Sequence, residues 1–253
     1  MIDLNLTGKR AVVTGGSRGV GRATAIMLAR AGAHVAVSYQ NRKGEAGSLI
    51  TELERHGARA FAHAGDISDA AAVDGFFSRV LEEFGGLDIF VANAGIWPPE
   101  SVPVSLMSDE QWRRTLQVNL DSAFYTTRAA TRIMSDGGRI VMVSSTAGQR
   151  GEAGHVDYAA SKGAMISMVK GLAIELAPQQ ITVNAVAPGW IDTDMTAGPY
   201  ADGGRARIEA GIPLGRVAGA DDIAGPILFL CSPLARHITG EILNINGGSV
   251  LCG

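Results

Sequence analysis

"RAVVTGGSRGVGRATAIMLARAG", residues 10–32, carries three signals in order. A short β-branched run, "RAVVT" (10–14), leads into a glycine-rich turn, "TGGSRGVG" (14–21), and then into apolar residues at helical spacing. A strand feeding a helix through such a turn opens a βαβ unit. The turn lets backbone amides approach an anionic group, which the positive end of the helix dipole favours. Its spacing, Gly15-xxx-Gly19-x-Gly21, departs from the GxGxxG fingerprint, so its position between a strand and a helix carries the argument.

The same alternation runs through the rest of the chain. "HVAVSY" (34–39), "ARAFAHAGDI" (58–67), "LDIFVANAG" (87–95), "RIVMVSS" (139–145), "ITVNAVAPG" (181–189) and "EILNING" (241–247) read as further strands, with helical patterns between them. One long helix is expected from about Asp109 to Met134. Nearly continuous apolar strands separated by helices indicate a parallel sheet covered on both faces. The expectation is an α/β, single-domain, doubly wound Rossmann-type fold over residues 1–253, with seven parallel strands. The one irregular interval, about 190–215, is rich in glycine, proline and charge and follows the sixth strand. Ligands of open α/β sheets bind beyond the carboxyl ends of the strands, so this interval reads as a substrate flap, against the competing reading of a solvated linker.

Composition narrows the function classes. A chain of 253 residues that is 46% hydrophobic and 19% charged can bury an extensive core. A net charge of −3 gives no basic footprint for nucleic acid or an anionic membrane, and neither partner is expected. No segment approaches the ~20 apolar residues of a membrane span, and the N-terminal stretch lacks the apolar run of a signal peptide. Cys231 and Cys252 form no CxxC pair, which suits a reducing compartment, and the five histidines show no ligand spacing. A cytoplasmic protein without a metal site is expected.

Later in the chain, "VDYAASKGAM" (156–165) sets Tyr158 and Lys162 four apart among small residues, on one face of a helix. Alone the pair is common. With it stand the TGxxxGxG turn, "NAG" (93–95) after the fourth strand, Ser145 thirteen residues before Tyr158, and "PG" (188–189) after the sixth. In this combination and order the chain resembles the short-chain dehydrogenase/reductase family over nearly its whole length, and most of all its 3-oxoacyl-[acyl-carrier-protein] reductase branch.

The resemblance implies a catalytic set of Asn119, Ser145, Tyr158 and Lys162. Tyr158 is then the proton donor in ketone reduction or the base in alcohol oxidation, and Ser145 bonds the substrate oxygen. Asn119 matches a position that holds a relay water; Ser144 reads as a structural neighbour. Bringing a phenol from about 10 to about 7 requires ~4 kcal/mol of preferential phenolate stabilisation, which the Lys162 ammonium is expected to help supply. Lys162 is also expected to anchor the cofactor ribose.

A nicotinamide cofactor follows, held at Gly15, Ser17, Arg18, Gly19, Val20 and Gly21 in the turn, and at Ser38, Tyr39, Asn41 and Arg42 after the second strand. Further positions are Asp66 and Ile67 beside the adenine, Asn93, Ala94 and Gly95 along the middle, Tyr158 and Lys162, and Pro188, Gly189, Ile191 and Thr193 near the nicotinamide. The second strand ends without a carboxylate, and Arg18, Arg42 and Lys43 lie nearby. A carboxylate there would bond a ribose 2′-hydroxyl and repel a 2′-phosphate. NADP(H) is favoured, with NAD(H) as the alternative.

The substrate is read as a small-molecule carbonyl or alcohol. The expected pocket rim takes in Ile96, Trp97, Pro98, Gln149, Arg150, Glu152, His155 and Trp190, with His155 read as a loop residue rather than a catalytic one. Docking an acidic acyl-carrier protein needs basic residues beside the mouth. Here the long helix keeps Arg128 and Arg132 but ends in "TRIMSDGGRI" with Asp136, which leaves a carrier-bound or a free substrate open. The small-residue face along 159–177 and the C-terminal "ITGEILNINGGSVLCG" resemble the family's two interfaces, implying a homotetramer.

Overall fold

Seven parallel strands lie in the order β3-β2-β1-β4-β5-β6-β7 in a computed structural model that describes residues 4–251. Cys252 lies outside the described residues. In chain order the elements are β1 (Arg10–Val13), α1 (Gly19–Arg30), β2 (His34–Tyr39), α2 (Lys43–Arg55), β3 (Ala60–Ala64), α3 (Ala70–Phe84), β4 (Leu87–Ala92) and α4 (Asp109–Leu116). They continue with α5 (Ser122–Ile133), β5 (Met134–Val143), α6 (Thr146–Arg150), α7 (Val156–Glu175), β6 (Thr182–Pro188), α8 (Ala197–Tyr200), α9 (Gly204–Ala210), α10 (Ala220–Cys231) and β7 (Ile242–Ile245).

Alternation along each strand divides the core between the two faces of the sheet. Val13, Val37, Val91 and Val141 belong to the apolar layer that contains Leu28 of α1, Leu49 of α2 and Ile223 of α10. Their neighbours Val12, Ala36, Phe90 and Ile140 belong to the opposite layer, with Phe76 of α3, Ala130 of α5 and Met165 of α7. The central strands are therefore apolar at consecutive positions, which fits a parallel sheet buried on both sides. Their carboxyl ends share one edge, and the strand order changes direction at β1 and β4. That topological switch point opens a crevice.

The expected helix from Asp109 to Met134 differs from the structure. It is divided by a π-helical turn, Gln117–Asp121, and the chain turns extended at Met134, the first residue of β5. Asn119 sits within that turn and is buried. Its side chain accepts from Ile96 N at 2.7 Å and donates to Ile96 O at 2.9 Å and Ser161 Oγ at 3.1 Å. A single wide turn in an α-helix commonly marks a functional site. Here it sets one amide between the segment after β4 and the helix carrying Tyr158.

The interval 190–215 is more ordered than its composition predicts. A 3₁₀ turn, Asp194–Thr196, and the short helices α8 and α9 fill it, and Ile191 pairs with Ala218. Among the described residues, no helix is long and apolar enough to cross a membrane. None of their His, Cys, Asp and Glu side chains form a group of three that could hold a metal.

Candidate active site

The crevice at the carboxyl edge is a single cleft of about 1120 Å³, extending from Arg42 after β2 to Trp97 after β4 and Trp190 after β6. Every residue assigned to the cofactor from sequence lines it, as do Ser145, Tyr158 and Lys162. Asn119 lies behind the wall, bonded to Ile96. Of the expected rim, Ile96, Trp97, Arg150, Glu152 and Trp190 face the cleft, whereas Pro98, Gln149 and His155 do not. Gln149 instead donates to Asn244 Oδ1 at 2.7 Å, and His155 is buried against Trp97.

The glycine turn is shaped by close approach. A Cβ on Gly21 would stand 2.6 Å from Asn93 Nδ2, and Gly15 adopts φ +64°. Asn93 Nδ2 donates to Thr14 O at 2.9 Å and Gly15 O at 3.3 Å, while Thr14 Oγ1 accepts from the amides of Asn93 and Ala94. The segments after β1 and β4 are thus tied together, and Asn93 supplies the tie. No side chain caps the N-terminus of α1, and its first turn holds no acid. Its amides and positive dipole end fit an anion such as a pyrophosphate.

The two arginines expected near a ribose phosphate already have partners. Arg18 Nη1 lies 2.8 Å from Asp194 Oδ2, and Arg42 Nη1 lies 3.2 Å from Glu45 Oε1. Both pairs are half-exposed or more, where an ion pair is worth ~0–1 kcal/mol, so exchange for a dianionic phosphate costs little. No carboxylate ends β2. Asp66, after β3, accepts from Ser68 N, Ser68 Oγ and Gln40 Nε2. Although burial pushes the other way, these bonds and the Arg114 charge hold the Asp66 carboxyl below its ordinary pKa. The cleft therefore fits a dinucleotide carrying a 2′-phosphate.

At the other end, Tyr158 and Lys162 project from the first turns of α7, and Ser145 follows β5. The Ser145 hydroxyl stands near enough to the phenol to draw its pKa down, and its Oγ accepts from Ala147 N at 3.1 Å as the N-cap of α6. Ser144 has a structural job, its hydroxyl donating to Lys162 O at 2.9 Å. Lys162 Nζ donates to Val143 O at 2.8 Å and lies 5.9 Å from the Tyr158 ring centroid. Burial pushes the Lys162 ammonium down to about 8.

The protein's own groups act on the phenol in the opposite direction to the one that Lys162 was expected to favour. Tyr158 is not drawn toward neutrality but pushed up to about 12, chiefly by burial, with the Glu152 charge adding to it and the Ser145 hydroxyl opposing it. The lysine, turned to a carbonyl and itself desolvated, does not offset that burial. Tyr158 is consequently a neutral phenol, ready to donate.

Sequence reading missed several of the cleft's features. Ser249 and Val250 line the cleft, although the C-terminal stretch was assigned only to an interface, and Asp194 partners Arg18 across it. Asp157, buried beside Tyr158, accepts from Thr115 Oγ1 at 2.7 Å and so joins α4 to α7. An acid in a helix's first turn was the visible signal for Asp157, but dipole stabilisation alone explains that placement.

Small residues let α6 and α7 touch. A Cβ on Gly148 would fall 2.6 Å from the Lys162 carbonyl carbon. Gly148→Ala is therefore expected to displace the backbone that carries Lys162 and to cost about 1–3 kcal/mol, the ordinary range for overpacking. Urea denaturation measures that loss, and wild-type stability in the variant would refute the contact.

Comparison with known proteins accords with this geometry. Residues 15–249 match the family model described as enoyl-(acyl carrier protein) reductase. A short chain dehydrogenase from Burkholderia cenocepacia J2315, solved in complex with NADP, superposes with a TM-score of 0.90 at 41% identity, covering 97% of this chain and 99% of that one. The chain belongs to the short-chain dehydrogenase/reductase family.

As a short-chain dehydrogenase/reductase it is an oxidoreductase. It is 40% identical over 247 residues to the 3-oxoacyl-[acyl-carrier-protein] reductase FabG of Escherichia coli (strain K12), covering 97% of this chain and 98% of the relative. It is also 39% identical over 250 residues to the L-rhamnose 1-dehydrogenase (NAD(P)(+)) of Sphingomonas sp. (strain SKA58), with 96% of each chain covered. Relatives of nearly equal similarity thus carry names from different substrate classes.

Proposed function

We propose that this short-chain dehydrogenase/reductase uses NADP(H) to reduce a carbonyl to a secondary alcohol, with Tyr158 as proton donor. The observation that carries the reading is that Ser145, Tyr158 and Lys162 line the same cleft as the uncapped α1 N-terminus. When bound, the reduced cofactor supplies hydride to the carbonyl carbon.

The protein's own residues do the rest. The glycine turn and the first amides of α1 hold the pyrophosphate. Arg18 and Arg42 exchange their carboxylate partners for the 2′-phosphate, which guanidinium groups bind bidentately. Ser145 donates to the substrate oxygen, Tyr158 passes it a proton, and the Lys162 ammonium stabilises the phenolate left behind. Asn119 acts through Ile96 and Ser161 as a positioning residue.

The relatives' names divide between a 3-oxoacyl thioester and a sugar as substrate, and the NADP in the Burkholderia structure supports the cofactor. The test is NADPH consumption with acetoacetyl thioesters, simple ketones and sugars, repeated with NADH. Turnover with NADPH above that with NADH is expected. A clear preference for NADH sinks the phosphate argument, and inactivity toward every carbonyl sinks the reading as a whole.

A further inference from the structure

The substrate end of the cleft has a composition that neither the cofactor nor proton transfer requires. Trp97, after β4, and Trp190, after β6, line it with ring centroids 6.0 Å apart and planes at 78°. His155 stacks on Trp97 at 4.7 Å and 18°, and Tyr200 of α8 packs on Trp190 at 6.0 Å. His155 is 6% exposed, and neither of its ring nitrogens has a hydrogen-bond partner. That placement is explained if the imidazole serves as a flat support that fixes the indole plane.

Two charged groups of opposite sign line the same region. Glu152 is largely buried, with Oε1 3.7 Å from His155 Nδ1, and its field reaches the Tyr158 phenol. Arg150 lines the cleft as well. A long alkyl chain laid along this wall would desolvate the carboxylate without offering it a hydrogen bond, a net cost. An anionic substrate would meet Glu152 beside the reacting oxygen, and a cationic one would meet Arg150. A neutral ring bearing several hydroxyls suits the wall: hydroxyls donate to Glu152 and accept from Arg150, while the apolar C–H face rests on an indole.

We propose that Glu152 and Trp97, the latter held by His155, form a specificity subsite for a neutral polyhydroxylated substrate, a sugar or polyol. The inference rests on the redox reading above and specifies its substrate class. A site built to bond substrate hydroxyls rejects analogues that lack them, because its buried polar groups are then left unpaired.

The test has two readouts on the full-length protein. NADPH-coupled reduction is measured with the ketoses D-fructose, L-sorbose and D-tagatose against acetoacetyl-coenzyme A and cyclohexanone, for wild type, Glu152→Gln and Trp97→Phe. Intrinsic tryptophan fluorescence is titrated with the same sugars without cofactor. At least one polyhydroxylated compound is expected to exceed the thioester in kcat/KM, and Glu152→Gln is expected to lower that preference about tenfold or more, the value of a hydrogen bond to a charged group. The preferred compound should also quench fluorescence, and Trp97→Phe should weaken that response. A preference for acetoacetyl-coenzyme A or cyclohexanone overturns the subsite and leaves the redox reading standing. Sugar quenching with no turnover of any substrate leaves the subsite and overturns the redox reading. Absence of both overturns both.

Discussion

Tyr158→Phe is expected to lower kcat for carbonyl reduction by about 10²–10⁴-fold, the range that a positioned general acid contributes. The substitution removes one oxygen and keeps the ring that packs at the start of α7. Folding and cofactor affinity should therefore be unchanged, so the loss appears in kcat rather than in NADPH binding. Steady-state kinetics followed by NADPH absorbance, together with an NADPH titration by fluorescence, separate the two. The sign of the Tyr158 shift adds a second expectation. With its phenol pushed up to about 12, Tyr158 stays protonated across the working range, so the acid itself imposes no alkaline limb on reduction below that value. Retained turnover in the variant would move proton donation to another group. An equal loss of cofactor binding would assign the phenol oxygen to holding the cofactor rather than to proton donation.

The strands along the chain and the glycine turn were legible because each rests on local chemistry. β-branched runs such as Val35–Val37 read as strand whatever surrounds them, and a turn dense in glycine reads as close approach. The catalytic cluster was legible for another reason. Ser145, Tyr158 and Lys162 have fixed separations in the chain, and a helix converts the spacing of the last two into adjacency. What stayed hidden depends on segments distant in sequence. Arg18 and Asp194 are 176 residues apart, and no local pattern says that the flap brings a carboxylate to the glycine turn. Asn119 could be read as a polar residue in an unfavourable helical position, but its bonds to Ile96 exist only because the chain after β4 returns past that turn. The burial that pushes the Tyr158 phenol up was hidden for a similar reason. Spacing reports that Lys162 is near, whereas desolvation depends on everything packed around both groups.

Lys162→Met separates catalysis from stability at the same residue. Burial pushes the ammonium down from 10.5 to about 8, so the charged form is disfavoured in the folded protein. Below about 8 both folded and unfolded chains carry the proton, and the full cost of roughly 3 kcal/mol is present. As pH rises from about 8 to 10.5 the unfolded chain binds a proton that the folded chain has lost, and stability increases. Tyr158 acts in the opposite sense between its ordinary 10.0 and about 12, and Cys231, whose thiol burial pushes from 9.0 up to about 12, does so from about 9 upward. Wild type is thus expected to gain stability toward urea from pH 8 to 9, and Lys162→Met to lose that rise. At neutral pH the variant sheds the buried charge but leaves Val143 O without its donor, a loss of about 1–3 kcal/mol that offsets much of the gain. Its net stability should therefore change little, whereas turnover should fall by about 10²–10³-fold, as when one preorganised electrostatic donor is removed. In wild type, kcat/KM for reduction should decline above about pH 8 as Lys162 deprotonates. A variant that kept the alkaline gain in stability would assign it to another group, and one that kept its turnover would remove Lys162 from the proton-transfer site.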